Sequence, residues 1–516
     1  MRDRNRREFL ADVGSGMLIG SVGSSLALEL GLVRASAAEG PERLLFGALE
    51  PLVGLMQETP VNKLVPALVE KIQAGTELRT LVAAGALANC RTFGGQDYTG
   101  YHALMALAPA YEMACELPEA QRPLPVLKVL YRNTNRIHEK GGRKNEVLHP
   151  VQAGNGPIDN RAAGEVLREK TRKADWEGAE RTVAALVKDR PGEAFNHLQY
   201  AVQDEVDVHR VVLSWRAWVL LDFAGKEQAQ TLLRQSVRYC LDSEKERIDR
   251  KRPEPGVRAV LPKLLDQYKL LSRPLGNRQA DDAWVEKLSQ TIYASGRDQA
   301  ADAAAAALAE GMASEAVGEA ISLAANKLVL CDPGRKAAAS PAKPAGSVHG
   351  DSVGVHASDA ANAWRNIARV SNQRNTVASL IVGAYHTAGQ SGGLNKQPNP
   401  LPEHLEKIMA KNAQALLRET EAAIKAKDQA LACALVYRYG EMDQPVRPVF
   451  DLLLRYGVSE DGALHAEKYY RTVTEEFAAT RPAFRWRQLV ALARVTASEY
   501  GQPAPGYADA CRLLKV

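Results

Sequence analysis

The chain has no nucleotide-binding fingerprint, no familiar hydrolase signature and no strand-like periodicity, and each absence narrows what it can do. Glycine pairs occur at Gly94-Gly95, Gly141-Gly142 and Gly392-Gly393, but none follows a strand-like run. Neither a phosphate loop nor a dinucleotide turn therefore has its required context. No G-x-S-x-G elbow and no H-E-x-x-H zinc helix occurs. Aromatic residues make up only 6% of 516 residues, and no segment alternates Val, Ile, Thr and aromatics with a period of two, so sheet is absent or marginal. The six cysteines (Cys90, Cys115, Cys240, Cys331, Cys433, Cys511) show no short pairing. In a chain this long they do not make a disulfide framework, and most read as small buried hydrophobes. An excess of charge of one sign is missing too: 66 Lys and Arg stand against 61 Asp and Glu, a net +5. These charges alternate along the chain without gathering into a patch, which argues against a nucleic-acid partner.

What is present begins with an N-terminal address. Asn5-Arg6-Arg7-Glu8-Phe9-Leu10 resembles the twin-arginine export consensus, and an apolar stretch from Val13 to Val33 follows, with a small-residue exit at Ala35-Ser36-Ala37-Ala38. The alternative is an ordinary membrane anchor. Five glycines and Glu29 within the apolar stretch make it a poor permanent span. The expectation is a signal peptide over 1–38, the twin-arginine export machinery as a partner, a periplasmic or secreted destination, and no permanent membrane span. Such cargo is exported folded and often takes up a cofactor first.

The mature chain is long enough for two to three domains' worth of core. Apolar residues spaced i, i+3, i+4 and i+7 recur in segment after segment, broken by Pro and Gly, which predicts an all-α, compact multi-helix stack. One predicted helix runs unbroken from Ala194 to Ala224. Residues 334–350, rich in Pro, Gly, Lys and Ala, read as a mobile surface linker between an N-terminal lobe, 39–333, and a C-terminal lobe, 351–516, set around a central cavity. Thr80 to Ala114 and Gly354 to Ala388 look locally alike, each with a His near a helix of small residues, which gives the stack a possible helical-repeat character.

Ten histidines stand out, and His102, His197, His209, His356, His386 and His465 fall within or at the start of apolar helices. Neutral imidazole is the commonest protein ligand for zinc, copper and iron, and bundle metal sites are built from helix-borne histidines. On one continuous helix, His197, Glu205 and His209 form a stripe of imidazole, carboxylate, imidazole. The bland alternative is a solvated acidic face. His102 follows Asp97-Tyr98-Thr99-Gly100-Tyr101, with Tyr98 or Tyr101 as hydrogen-bonding neighbours, and could equally be a packed core histidine. His356 has Ser358 or Asp359 nearby as candidate caps. His386 closes a helix, where it favours the negative end. His138, His149, His349 and His404 neighbour Gly, Pro or Lys and read as exposed.

Three short segments carry a family resemblance. Gly100-Tyr101-His102-Ala103-Leu104-Met105-Ala106-Leu107-Ala108-Pro109-Ala110-Tyr111-Glu112, Val355-His356-Ala357-Ser358-Asp359-Ala360-Ala361-Asn362-Ala363 and Leu464-His465-Ala466-Glu467-Lys468 resemble parts of the questin oxidase-like family, all-helical proteins linked to oxidative ring opening of anthraquinones. Together they span less than a tenth of the chain. Where a His-Pro-x-x-His pair is expected, this chain has only His102, preceded by Tyr101. The resemblance implies an oxidoreductase acting on an aromatic or polyketide-like small molecule.

The leading expectation is thus an exported, metal-dependent oxidoreductase or oxygenase. His102, His197, Glu205, His209, His356 and His465 are candidate ligands of a redox metal, iron first, and Tyr101 or a spare histidine is the candidate general acid/base. Two rivals remain: a non-catalytic α-solenoid scaffold, since helix pairs such as Val61 to Ala74 with Glu77 to Cys90 also suit a repeat, and metal-assisted hydrolysis at the same histidines.

Overall fold

Three of the helix starts that matter most here are set by short polar side chains. In the computed structural model, which describes residues 43–154, 163–188 and 190–516, Asp97 accepts from the Gly100 amide at 2.8 Å and opens the helix Tyr98–Glu116. Asp207 does the same through the Arg210 amide at 2.9 Å for Val208–Val219, and Ser352 through Val355 for Val353–Val370. A side-chain oxygen there satisfies an amide that the helix leaves without a partner. The segment 1–38, expected as a signal peptide, lies outside the described residues.

Among the described residues the elements are helices, with only isolated single-residue bridges such as Glu460 with Pro503, so the protein is all-α. No described helix is long and apolar enough to cross a membrane. Phe46–Val516 forms a single compact unit. Four helices make a closed circuit within it. Tyr98–Glu116 packs on Val208–Val219, which packs on Val353–Val370, which packs on His465–Ala479, which returns to Tyr98–Glu116. Such sequence-distant contacts differ from a stack in which each repeat touches only its neighbours.

Buried ion pairs tie this circuit together. Arg365 donates to Glu476 at 2.7 Å, joining Val353–Val370 to His465–Ala479, and both side chains are almost wholly buried. Lys128 meets Glu467 at 2.7 Å with both side chains inaccessible. Charges taken out of water are costly unless matched, so removing one member of either pair would leave an uncompensated buried charge.

Two features depart from the periodicity reading. The helix expected from Ala194 to Ala224 ends at Val202 and restarts at Val208, because Asp207 caps the second segment and cannot also continue the first. The 334–350 stretch folds back on itself through Arg335 amide to Ser347 carbonyl (3.0 Å) and Gly346 amide to Arg335 carbonyl (2.8 Å), and Ser347, Val348 and His349 are buried. Cys90, Cys240, Cys331 and Cys433 are buried free thiols, as their apolar settings predict.

Candidate functional site

Each helix of the closed circuit contributes one histidine, and the four rings form a closed quadrilateral. Ring centroids are 4.8 Å apart for His102 and His209, 5.6 Å for His209 and His356, 5.4 Å for His356 and His465, and 5.0 Å for His465 and His102. His102 and His465 are buried, while His209 and His356 are partly open.

The outer nitrogens of three rings face oxygen atoms. His102 Nδ1 is 2.7 Å from the Tyr98 carbonyl, His465 Nδ1 is 3.0 Å from the Ala463 carbonyl, and His209 Nδ1 is 3.6 Å from Asp207 Oδ1. A carbonyl only accepts, so His102 and His465 carry hydrogen on Nδ1 and turn an Nε2 lone pair inward. The Nε2 atoms of His102 and His209 are buried without a hydrogen-bond partner, and those of His356 and His465 are 3.3 Å apart. Burial, the Lys468 charge and the neighbouring imidazoles hold His102 and His465 well below the usual histidine range, and burial with the same charges brings His356 down to about 3. His102, His356 and His465 are therefore lone-pair donors.

The backbone is arranged to present His465. Gly462, Ala463 and Leu464 are all left-handed, with φ of 52°, 48° and 67°. Two of these are not glycine, and such conformations are held only where the surroundings over-determine them. Their turn brings the Ala463 carbonyl under the His465 ring. On the other side, the 347–350 segment seats against His465 so closely that a Cβ at Gly350 would lie 2.2 Å from the His465 Cβ.

Around the quadrilateral lies a polar collar. Asp207 Oδ1 accepts from the Tyr239 hydroxyl at 2.8 Å as well as facing His209. Burial works to raise the Asp207 carboxyl, but the facing His209 ring and the hydrogen bonds from the Arg210 amide and Tyr239 hold it ionised, well below the carboxylate range. Tyr101 packs against His102, His209 and Tyr239 at 5.1, 5.2 and 5.3 Å, and burial beside Asp207 pushes its hydroxyl upward so that it stays protonated. Lys468, one turn past His465, is buried, and burial brings it down to about 8 against the pull of Asp359 and Glu467. His349 is buried, not exposed, with Nε2 3.5 Å from Glu499 and its ring 6.2 Å from His465.

His197 and Glu205 stand apart from this set. The break at residues 203–207 removes the shared helical face, so Glu205 turns to Arg210 at 2.8 Å and His197 sits on Pro191–Val202, with no ring contact to the four histidines. His386 accepts from Trp364 Nε1 at 3.2 Å and is a core histidine. Sequence reasoning missed Asp207, Tyr239, His349 and Lys468. Asp207 had a signal, an Asp immediately before a new apolar period.

Among the described residues no group of three or more His, Cys, Asp or Glu side chains is placed so that it could hold a metal ion as it stands. The donor set nonetheless suits a metal by type: imidazoles, two with buried orphan Nε2 atoms, and outer nitrogens of His102 and His465 fixed by carbonyl oxygens, the arrangement that orients metal-bound histidines. Two nitrogens at about 2.1 Å from one ion stand roughly 3.0–3.4 Å apart, a range that includes the His356–His465 spacing of 3.3 Å. A cavity of about 430 Å³ adjoins the site, with Asp207, Tyr239, Glu205, Arg297 and Tyr385 among its walls. Compared with known proteins, the chain matches no family model, no curated protein and no solved structure.

Proposed function

We propose that the protein is an exported metal-dependent oxidoreductase whose centre is held by His102, His209, His356 and His465, with iron the first candidate. The observation that carries this reading is the convergence of four imidazoles from four helices, two of them with buried Nε2 atoms that have no partner. Four imidazoles suit iron, copper or zinc by ligand type. The resemblance of the His102, His356 and His465 segments to the questin oxidase-like family favours oxygen chemistry on an aromatic or polyketide-like molecule. A bound redox metal would supply electron transfer and oxygen activation there.

The chain's own side chains have separable tasks in this proposal. Asp207 holds the His209 ring and, being ionised, favours hydrogen on Nδ1. Tyr101, kept protonated, is the proton donor beside the rings, and Tyr239 positions the Asp207 carboxylate. The cavity beside Asp207 and Tyr239 admits the substrate. There Arg297, 5.6 Å from the Tyr385 ring centroid, offers a planar cationic surface to a flat, electron-rich molecule. The N-terminal 1–38 segment directs the folded product to the twin-arginine machinery, so the metal is loaded before export.

Metal analysis of the full-length protein, purified from the exported fraction, tests the proposal. The expected result is near one equivalent of a redox metal, lost in His102→Ala and His209→Ala while the helical circular-dichroism spectrum is kept. Metal far below one equivalent, unchanged by either substitution, removes the reading. Turnover without oxygen by the metal-loaded protein would favour metal-assisted hydrolysis at the same histidines.

A further inference from the structure

A second cavity, of about 310 Å³, is walled by helices that carry none of the four histidines: Asp282–Ala294, Ser314–Cys331, Gln429–Glu441 and Trp486–Glu499, closed by the 398–405 segment. We infer that it is a binding site for a small, uncharged, flat molecule carrying one hydroxyl or N–H donor, and this stands whether or not the histidine centre holds a metal.

The walls determine most of the ligand's character. Leu323, Leu330, Leu405 and Val490 are apolar, and Pro400 and the Tyr437 ring offer planar surfaces. Tyr437 is 38% exposed, so its ring is open to a ligand in the cavity. The volume falls at the lower end of the range of small-molecule pockets, enough for a two-ring compound.

The charges present are already engaged. Arg487 donates to Glu286 at 2.6 Å, and Lys327 reaches Gln290 and lies 4.8 Å from the Tyr293 ring centroid. Arg487 is matched by Glu286, and although Lys327 keeps its charge, an ionised carboxylate carries no hydrogen to donate to an acceptor in the wall. One polar atom, however, has no partner. Asn326 is 1% exposed and lines the cavity, and its Nδ2 donates to the Arg487 carbonyl (3.2 Å) and to Gln488 Oε1 (3.0 Å). Those two bonds fix the amide so that Oδ1 is the free atom, buried and without a donor. An unsatisfied buried acceptor is a standing cost that a ligand hydroxyl or N–H removes.

The cavity is also preformed. The Asn395 amide donates to the Cys331 carbonyl at 2.8 Å, and the Asn399 amide to the Leu330 carbonyl at 2.9 Å, fastening the closing segment to the end of Ser314–Cys331. Binding therefore needs little ordering of the chain.

Equilibrium titration of the full-length protein with 2-naphthol, naphthalene and 2-naphthoate tests the inference. 2-Naphthol is expected to bind saturably and in preference to 2-naphthoate. Asn326→Leu is expected to weaken 2-naphthol roughly threefold to tenfold relative to naphthalene, the range of one hydrogen bond. Leu405→Trp, on the outer segment where folding is least at risk, fills the space and is expected to abolish binding with an unchanged melting temperature. Absence of saturable 2-naphthol binding, a preference for 2-naphthoate, or binding indifferent to Leu405→Trp overturns the assignment.

Discussion

His356 and His465, 109 positions apart in sequence, bring their Nε2 atoms to 3.3 Å. Because His465 Nδ1 carries hydrogen toward the Ala463 carbonyl, His465 Nε2 is a lone pair, and without a shared ion the hydrogen between the rings belongs to His356. If the two rings instead serve one ion, they act as a unit. His356→Ala and His465→Ala are then each expected to reduce metal content severely, and the double variant to lose little more than either alone. Metal content of the three variants, measured side by side, checks this; fully additive losses contradict a shared ion.

Asp207 is the point where the collar can be weakened without removing a ring. Asp207→Asn keeps the shape and an acceptor for the Arg210 amide but removes the charge facing His209. Metal affinity is expected to fall about 10-fold to 100-fold, the usual effect of losing such an outer partner. Competition with a chelator of known affinity measures it, and an unchanged dissociation constant argues against the orienting role.

Gly350 packs where no side chain fits. Gly350→Ala puts a methyl 2.2 Å from the His465 Cβ, so either the 347–350 segment or the ring must move. A loss of about 1–3 kcal/mol of stability is expected from the overpacking, with metal content falling further than stability alone explains. Chemical denaturation and metal analysis together separate the two effects.

Acid should weaken the fold through His386, away from the four-ring cluster. Burial brings this imidazole down to about 4 from its ordinary 6.5, and in its neutral form it accepts from Trp364 Nε1. Between those values the unfolded chain binds the extra proton, so stability rises with pH across the window. The contribution is fully present above about 6.5 and is lost as pH falls toward about 4. His386→Gln, which keeps a hydrogen-bond acceptor, is expected to flatten the dependence of melting temperature on pH between those limits. An identical slope in the variant refutes the assignment to His386.

Glu476 holds the two helices that bear His356 and His465. Replacing it with Leu leaves the Arg365 guanidinium buried without that partner, an expected loss of about 3–5 kcal/mol. Glu476→Leu with Arg365→Met, which removes both charges, is expected to recover much of it. Denaturant midpoints of the single and double variants give the coupling.

Much of this architecture is legible in the residues. The all-α class follows from helical periodicity with almost no strand signal, and His102, His209, His356 and His465 are recognisable because an imidazole in an apolar helix needs a reason to be there. What periodicity cannot supply is the break between Val202 and Val208, since the intervening residues keep a plausible helical pattern while Asp207 caps a new start. That single cap separates His197 and Glu205 from His209. His349 escapes notice for the opposite reason: it follows a Pro, Lys and Ala-rich stretch whose composition suggests solvent, yet its last residues are walled in by Glu499 and His465. Lys468 is hidden by its type, because a lysine on a helix is ordinarily a surface residue.

The circuit of helices draws its first histidine from position 102 and its last from position 465, and its supporting carboxylate from Glu499. Synthesis must therefore proceed past Glu499 before the ring of imidazoles and its support can be complete, and a product cut short of His465 cannot present the four rings. Until that ring closes, Lys128 and Glu467, Arg365 and Glu476 lack the partners that the finished interior gives them.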